Sequence, residues 1–223
     1  MIVLAIQGTT VLAAGDSREY GLGLSDRDQR WAKRVALAGG AQLVDDGNPG
    51  MTLEQLGSKY YVATNMATWQ AGVHSYVFLC FLTNDVRQDP ALFTVAGFKT
   101  QLLADLDTFH QQRGIPYQRM VLSSEWFTAY LNGSYARLLA YNQAVRECAQ
   151  ARNCIFIDQF AAFATHPDPL SLFQDEANEN GRLHENEAGH AFKAQVYLNG
   201  DYTPENDKAA SNDSWHTTRR WAA

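Results

Sequence analysis

Long apolar runs are missing from this 223-residue sequence, and so is a recognisable leader. No stretch approaches the length of a membrane-spanning helix, so we expect no membrane span. Residues 1–6 are apolar, but the segment is short and lacks a basic leader, and Gln7 and Gly8 interrupt the run. Such a segment is not typical of a signal peptide, and its form slightly favours a cytoplasmic location.

Cysteine is scarce as well, and the three cysteines do not have metal-ligand spacing. Cys80 lies in an apolar segment, whereas Cys148 and Cys154 flank a helix-to-strand junction. A disulfide between the last two stays open, although free, buried thiols are the simpler interpretation. A domain of this length buries roughly 70–75 % of its unfolded surface and does not need disulfides for stability.

Clusters of basic residues are absent from the body of the chain, whose net charge is −6. This charge argues against nucleic acid as a partner. Gly15, Gly21 and Gly23 do not have the spacing of a phosphate-binding loop, which argues against a nucleotide site. No linker or repeat divides the sequence, so we expect a single domain over residues 1–199 and a polar tail over residues 200–223.

Five apolar segments alternate with amphipathic patterns. Strands are predicted at residues 11–14, 41–44, 73–82, 119–122 and 154–157. Helices are predicted at residues 25–38, within 53–69, from Asp89 and Pro90 to about 113, and at 135–151 and 185–198, with a loop over 165–182. The segment 73–82 is almost continuously apolar, which is typical of a central strand covered on both faces. This alternation predicts an α/β fold with a parallel, doubly wound five-stranded sheet.

The segment at the end of the first predicted strand organises the rest of the sequence. Gly15 and Asp16 follow four small or apolar residues, and Ser17 comes next. In open α/β sheets, ligands bind at the carboxyl ends of the strands, and a serine there can act as a nucleophile if a base reaches it. Gly, Asp and Ser are also common in ordinary turns, so the tripeptide alone leaves both interpretations open.

Polar residues also follow the second and third predicted strands. Residues 47–50 (Gly-Asn-Pro-Gly) come after the second strand, and Thr83, Asn84 and Asp85 come after the third. Either segment alone is also compatible with a simple turn. In a parallel sheet, however, the three strand ends lie at the same edge. The sequence therefore predicts one site at that edge.

Four short blocks, taken together, resemble those of the SGNH (GDSL-type) hydrolases. The blocks are residues 15–17 (GDS), 45–52 (DDGNPGMT), 83–85 (TND) and 184–190 (HENEAGH). They occur in the family's order over about residues 10–197; each is weakly specific alone, but four in order are a strong signal. The resemblance implies a serine esterase with a flavodoxin-like, three-layer α/β/α fold.

Each block supplies one functional residue by this resemblance. Ser17 matches the nucleophile and His184 the general base, while the Gly50 backbone N–H and the Asn84 side-chain amide match donors of the oxyanion hole. A serine hydroxyl is a weak nucleophile until an imidazole takes its proton. Each donor that is aimed at the oxyanion is typically worth roughly 3–4 kcal/mol. This chemistry requires neither a metal nor a cofactor.

Three positions depart from the family's pattern. The acid of the triad usually lies three residues before the histidine, where this sequence has Gly181. The acceptors that stay open for His184 are Asp175, Glu176, Glu179, Asn180 and a backbone carbonyl, the last leaving a Ser–His dyad. Leu82 replaces a glycine and is expected to narrow the acyl pocket or tilt Asn84, and Asp45 replaces an asparagine.

The most specific function that the sequence predicts is hydrolysis of short acyl esters, such as acetyl esters on sugars or small alcohols. Four aromatic residues could stack on a sugar ring or pack within their own loop: Trp126, Phe127, Tyr130 and Tyr135. The alternative is an SGNH-like scaffold without hydrolytic activity that binds a glycan or a protein. His190 is the rival base, but its block resembles the family's helix rather than its base.

Overall fold

Five parallel strands form the sheet in the computed structural model, which describes residues 6–53, 76–126, 135–175 and 183–206. The strands are β1 (Thr10–Gly15), β2 (Gln42–Gly47), β3 (Tyr76–Cys80), β4 (Met120–Ser123) and β5 (Ile155–Ile157). Their order is β2-β1-β3-β4-β5, and each neighbouring pair is parallel. This order confirms the predicted doubly wound fold, with the most apolar strand at the centre.

Helices cover both faces of this sheet. The longer ones are α2 (Trp31–Gly39), α4 (Val95–Arg113), α5 (Tyr135–Arg152) and α7 (Glu187–Leu198). The shorter ones are α1 (Ser17–Tyr20), α3 (Thr83–Arg87) and α6 (Gln159–Ala164), with 3₁₀ turns at Arg27–Gln29, Tyr117–Arg119 and Pro169–Leu172.

The alternation of side chains along the strands divides the core into two layers. On β1, Leu12 and Ala14 belong to the cluster that α4 and α5 cover, whereas Val11 and Ala13 belong to the cluster that α2 and α7 cover. Successive residues of a strand point to opposite faces, so a strand that is apolar throughout must be buried on both. The result is a three-layer α/β/α sandwich.

The strands around β1 end at the same level. Gly15, the last residue of β1, pairs with Gly47 of β2 and with Cys80 of β3. Because the strands are parallel, the segments that follow these three residues leave the sheet at one edge. The shared edge that the sequence predicts is therefore present.

Two helix starts differ from the sequence predictions because other residues cap them. The helix predicted from Asp89 begins at Val95, since the Thr94 hydroxyl accepts the Gly97 N–H, whereas Asp89 begins a preceding turn. The last helix begins at Glu187 rather than residue 185, and the Asn186 side chain caps it. A polar side chain at the cap satisfies an N–H that the helix itself cannot.

Other local predictions need correction as well. The helix predicted at residues 25–38 is divided into a 3₁₀ turn and α2, because Arg30 between them has an extended backbone. The short helices α1, α3 and α6 were not predicted, and the loop predicted at residues 165–182 contains a 3₁₀ turn. The helix predicted within residues 53–69 lies outside the described residues, apart from Leu53.

The first residues of the predicted tail pack against the edge of the sheet. Pro204 forms an antiparallel bridge with Ile155 of β5, and the Glu205 N–H donates to the Cys154 carbonyl. Residues 207–223 lie outside the described part of the chain. The cysteines Cys80, Cys148 and Cys154 are free and buried. Within the described ranges, no helix combines the length and the apolar character that crossing a membrane requires.

Gly47 provides a test of how closely α1 packs against the end of β2. A Cβ atom at this position would lie 2.3 Å from the Tyr20 nitrogen and 2.6 Å from the Glu19 carbonyl carbon, and both of these are backbone atoms. We expect Gly47→Ala to lower the free energy of unfolding by about 3 kcal/mol through overpacking. Urea unfolding monitored by circular dichroism measures this change.

Gly114→Ala is the control, because a Cβ there meets no atom within 4 Å while the backbone has φ +65°. Left-handed backbone strain alone should lower the free energy of unfolding by about 1 kcal/mol. Equal losses in the two variants would contradict the close packing of α1 on β2.

Candidate active site

Ser17 and His184 lie together at the carboxyl edge of the sheet. The distance between Ser17 Oγ and His184 Nε2 is 2.9 Å, although 167 residues separate them in the chain. Ser17 is only 5 % exposed to solvent, and His184 is only 6 % exposed. With Nε2 unprotonated, the serine hydroxyl donates to it, which is the arrangement that a nucleophile and its general base require.

The strand-to-helix turn after β1 positions Ser17. Asp16 caps α1, and its carboxylate accepts the Arg18 N–H at 3.0 Å, so Ser17 is the first residue of the helix. Gly15 is needed below it, because a Cβ there would lie 2.7 Å from the Cys80 carbonyl oxygen and closer still to the Glu19 side chain. The Gly-Asp-Ser tripeptide is therefore a tightly packed turn as well as the carrier of the hydroxyl.

A short antiparallel pairing positions His184. The Gln174 N–H donates to the His184 carbonyl at 2.9 Å, and the Asn186 N–H donates to the Leu172 carbonyl at 3.0 Å. Glu185 forms a β-bridge with Phe173 between these two bonds. The histidine backbone is thus held on a rigid pairing rather than on a free loop.

Gly50 lies in a tight turn that follows β2. The Met51 N–H donates to the Asn48 carbonyl at 3.2 Å, and Gly50 has φ +80°. Proline followed by a left-handed glycine is the residue preference of a type II turn. The Asn48 N–H donates to the Gly15 carbonyl at 3.0 Å, which anchors this turn to the residue two positions before Ser17.

Asn84, on α3, is joined to the same turn. Its side-chain nitrogen donates to the Met51 carbonyl at 2.8 Å, which orients the amide and leaves its second N–H for another acceptor. Asp85 makes a second link that sequence reasoning missed, since both of its carboxylate oxygens accept the Leu53 N–H at 3.0–3.1 Å. The acidic residue that ends the block 83–85 was the available signal.

A buried hydroxyl in contact with an imidazole, next to amide donors, is the arrangement used in serine hydrolysis. The profile of the GDSL-like lipase/acylhydrolase family matches residues 13–192 of this chain, a span that includes Ser17, Gly50, Asn84 and His184. The chain belongs to this family.

Solved structures with the same fold are similar over most of this GDSL-like chain. A psychrotrophic esterase, EstA from Pseudoalteromonas sp., has a TM-score of 0.61 at 15 % identity, covering 92 % of this chain and 100 % of that one. A carbohydrate acetylesterase family member from Sinorhizobium meliloti has a TM-score of 0.63 at 15 % identity, covering 84 % of this chain and 94 % of that one. The acetyl xylan esterase AlAXEase has a TM-score of 0.61 at 19 % identity, covering 85 % of this chain and 98 % of that one. At these identities the likeness shows the fold.

No protein of curated function matches this GDSL-like chain in sequence. Membership of the lipase/acylhydrolase family makes it a carboxylic ester hydrolase. The resemblance that the four sequence blocks indicate is thereby confirmed.

A network of buried charges includes the residues that directly follow Ser17 and His184 in this hydrolase, and sequence reasoning missed it. The Arg18 Nε donates to both carboxylate oxygens of Glu185 at 3.0 Å, and Arg18 Nη1 pairs with Glu125 at 3.0 Å. Lys193 Nζ lies 3.8 Å from Glu185 and 2.7 Å from Glu19. The side chains of these five residues are fully buried.

Burial and neighbouring charges shift the pKa values of the buried carboxylates in opposite directions. Burial alone would raise the pKa of Glu185, but the charges of Arg18 and Lys193 outweigh burial and hold it well below the usual range. For Glu19, burial dominates over the attraction of Lys193 and raises the pKa to about 7. Burial also raises the pKa of Asp16 well above its usual value, and the charge of Glu125 adds to this. Glu185 is therefore more firmly ionised than Glu19 or Asp16.

The candidates for the acid of the triad are mostly outside the described residues. Glu176, Glu179 and Asn180 fall in the segment 176–182, whereas Asp175 is described and exposed. The acceptor that orients His184 thus stays a prediction.

The two remaining departures from the family pattern have clear surroundings. Leu82 is fully buried in the core cluster under α4 and α5, and the Asn84 amide still reaches the Met51 carbonyl. Asp45 is held by Arg27 at 3.0 Å and by Arg30 at 2.8 Å. These ion pairs fasten the segment after α1 to the end of β2.

The aromatic residues after β4 do not form an exposed wall in the part of the chain that is described. Trp126 is mostly buried and packs against Phe173 and Phe163, with ring centroids 5.4 Å and 6.4 Å away. Tyr135 is exposed and lies near Phe160. Phe127 and Tyr130 lie outside the described residues.

His190 packs between helices rather than against Ser17. Its Nδ1 accepts the Trp31 N–H at 3.3 Å, and burial lowers its pKa to about 4. The unfolded chain binds a proton there near pH 6.5, whereas the folded protein resists protonation until about pH 4. Protonation of the unfolded state therefore removes stability as the pH falls through this window.

His190→Gln tests this linkage, because the glutamine oxygen can accept the same N–H and does not titrate. Between pH 7 and pH 4.5 we expect the wild-type protein to lose about 2 kcal/mol more unfolding free energy than the variant. Urea unfolding at the two pH values measures the difference. His166→Gln, at a partly exposed histidine, is the control and should follow the wild type. A variant with the same pH dependence as the wild type would contradict the buried neutral state of His190.

Proposed function

We propose that this hydrolase cleaves short-chain acyl esters, with acetyl esters of carbohydrates as its substrates, through an acyl-enzyme on Ser17. The observation that carries the proposal is the 2.9 Å contact between Ser17 Oγ and His184 Nε2 at the carboxyl edge of the sheet. A hydroxyl at this distance from an imidazole can lose its proton to it during attack on an ester carbonyl.

The reaction proceeds in two halves. Ser17 Oγ adds to the acyl carbon while His184 Nε2 takes the hydroxyl proton, and the tetrahedral intermediate then expels the alcohol, which receives that proton from His184. Water next attacks the acyl-serine with His184 again acting as the base, and Ser17 leaves as the carboxylic acid forms. Each half moves one proton to the imidazole and returns it.

The oxyanion of both intermediates needs donors that are fixed before the reaction. We assign this role to the backbone N–H groups of Ser17 and Gly50 and to the side-chain amide of Asn84. The Met51 carbonyl holds one N–H of that amide, and the turn at Gly50 is anchored to Gly15. Donors held in this way do not have to reorganise when negative charge develops.

The surroundings of Ser17 support a short acyl group. The two chain neighbours of Ser17, Asp16 and Arg18, are buried, and Arg18 forms ion pairs with the buried Glu125 and Glu185. A long acyl chain needs an apolar channel, and a charged, close-packed floor does not supply one. An acetyl group needs little more than the space next to the oxyanion donors.

The carbohydrate part of the proposal has support from structural neighbours. Two structures of the same fold are described as an acetyl xylan esterase and a carbohydrate acetylesterase family member. A site at the carboxyl edge of a sheet also suits a bulky polar alcohol, which can remain largely in solvent while its acyl group reaches Ser17.

Ser17→Ala and His184→Ala test the assignment of nucleophile and base. We expect each variant to lose at least about 10³-fold in kcat/KM on p-nitrophenyl acetate, because attack and proton transfer act as one unit. Ser25→Ala and His166→Ala are matched controls that should keep wild-type activity. An equally active Ser17→Ala variant would refute the mechanism. A wild type that turns over no acyl ester, including acetylated xylan, would favour the glycan- or protein-binding alternative instead.

The acyl preference has its own measurement. We expect kcat/KM to fall by at least tenfold from p-nitrophenyl acetate to p-nitrophenyl octanoate, because the charged floor excludes long chains. Acetate release from acetylated xylan, followed enzymatically, tests the carbohydrate substrate. A preference for octanoate would contradict the short-acyl proposal while leaving the serine mechanism in place.

Asn84→Ala tests the oxyanion donor separately. Removing one such donor typically lowers kcat by about 10²–10³-fold, and KM should change little because the bond strengthens only in the transition state. Asn206→Ala is the matched control, since its side-chain nitrogen also donates to a backbone carbonyl, that of Gln150 at 2.9 Å, outside the site. A loss expressed only in KM would argue against a role at the oxyanion.

A further inference from the structure

The residues that directly follow the nucleophile and the base carry opposite charges and meet in the interior. Arg18 follows Ser17, and Glu185 follows His184. The Arg18 guanidinium makes a bidentate contact with the Glu185 carboxylate: Nε lies 3.0 Å from both oxygens, and Nη2 contacts one of them. Both side chains are completely buried. The contact between the two catalytic side chains is thus repeated one residue further along each segment.

Arg18 also connects this pair to the segment that follows β4, the strand next to β3. Its Nη1 pairs with Glu125 at 3.0 Å, and its Nη2 donates to the Trp126 carbonyl at 3.2 Å. The backbone of Glu125 is itself clamped by Asn142, whose side chain accepts its N–H at 2.8 Å and donates to its carbonyl at 2.9 Å. The guanidinium therefore has donors directed at two separate segments and cannot rotate freely.

Glu125 extends the connection to the oxyanion side of the site. The Thr83 hydroxyl donates to the same Glu125 oxygen that Arg18 contacts. Thr83 is the residue before Asn84, so one carboxylate links the segment of the oxyanion donor to the segment of the nucleophile. The network consequently has a member next to Ser17, to Asn84 and to His184.

Stability does not explain why these charges are buried. Withdrawing an arginine and a carboxylate from water is so unfavourable that apolar replacements of both are often neutral or stabilising. What the pair does supply is geometry, since a planar, two-pronged contact fixes distance and orientation together. Attack by a serine depends on such positioning, because a misplacement of about 1 Å can reduce the rate about 10²-fold.

We propose that the Arg18–Glu185 pair is a positioning device that aligns Ser17 with His184 for the reaction. This inference rests on the esterase function proposed above. The two residues do not touch the substrate; they act through the catalytic residues to which they are bonded.

The double variant R18M/E185M separates positioning from stability, because it removes one positive and one negative charge and leaves apolar side chains of similar length. We expect its unfolding midpoint in urea to be closer to wild type than that of R18M or E185M alone. Its kcat on p-nitrophenyl acetate should remain at least 30-fold below wild type, with KM within threefold. A double variant whose kcat returns to within threefold of wild type would overturn the proposal.

R18K decides the question if the double variant does not fold. Lysine keeps the positive charge between the two carboxylates but has no planar fork. We expect a kcat about tenfold below wild type with KM within threefold, whereas a kcat within twofold of wild type overturns the proposal.

The Arg152–Asp107 pair provides the control, since it is also two-pronged, at 2.5 Å and 2.7 Å, and joins α5 to α4 away from the site. R152M/D107M should keep kcat within twofold of wild type, and an equal loss there would also overturn the proposal. If wild type itself hydrolyses no ester, the proposed function fails and this inference fails with it. If wild type is active and R18M/E185M equally so, only the inference fails.

Discussion

Parallel pairing of β1 with both β2 and β3 is the constraint on which the site depends. This pairing brings Gly15, Gly47 and Cys80 level, so the segments that follow them meet at one edge of the sheet. Each segment is then locked to another by short bonds, such as that from the Asn48 N–H to the Gly15 carbonyl. A shift of one strand by a residue would move its polar block out of this arrangement and place its apolar side chains on the wrong face.

The site lies next to charged side chains that are buried in the interior, where such residues are rare unless they are paired. Arg18, Lys193 and several carboxylates are buried there together, and Glu185 is shared between the two cations. Such a group tolerates burial only because each charge has an opposite partner within reach. In the part of the chain that the structure describes, the result is a close-packed group of charges next to the nucleophile, which supports the short acyl group proposed above. The same buried charges are therefore the basis of both the positioning proposal and the short-acyl proposal.

Much of the fold followed from periodicity and composition. The near-continuous apolar sequence of β3 predicted its central position, and the alternation of strands and helices predicted the parallel sheet. Helix starts were less predictable, because Thr94 and Asn186 compete with neighbouring polar residues as caps. The short helices α3 and α6 have too few residues for a periodic signal, so their positions could not be read from the pattern.

The sequence by itself determined the residue types of the site, their order and, through the four blocks, the family. It also determined that three of the four blocks follow strand ends. Only the tertiary structure decided that Ser17 Oγ and His184 Nε2 lie 2.9 Å apart and that Arg18 pairs with Glu185. The physical reason is that contacts across 167 residues depend on how segments pack in three dimensions, which no local pattern encodes. Local preference predicts where a chain turns, whereas packing decides which turns meet.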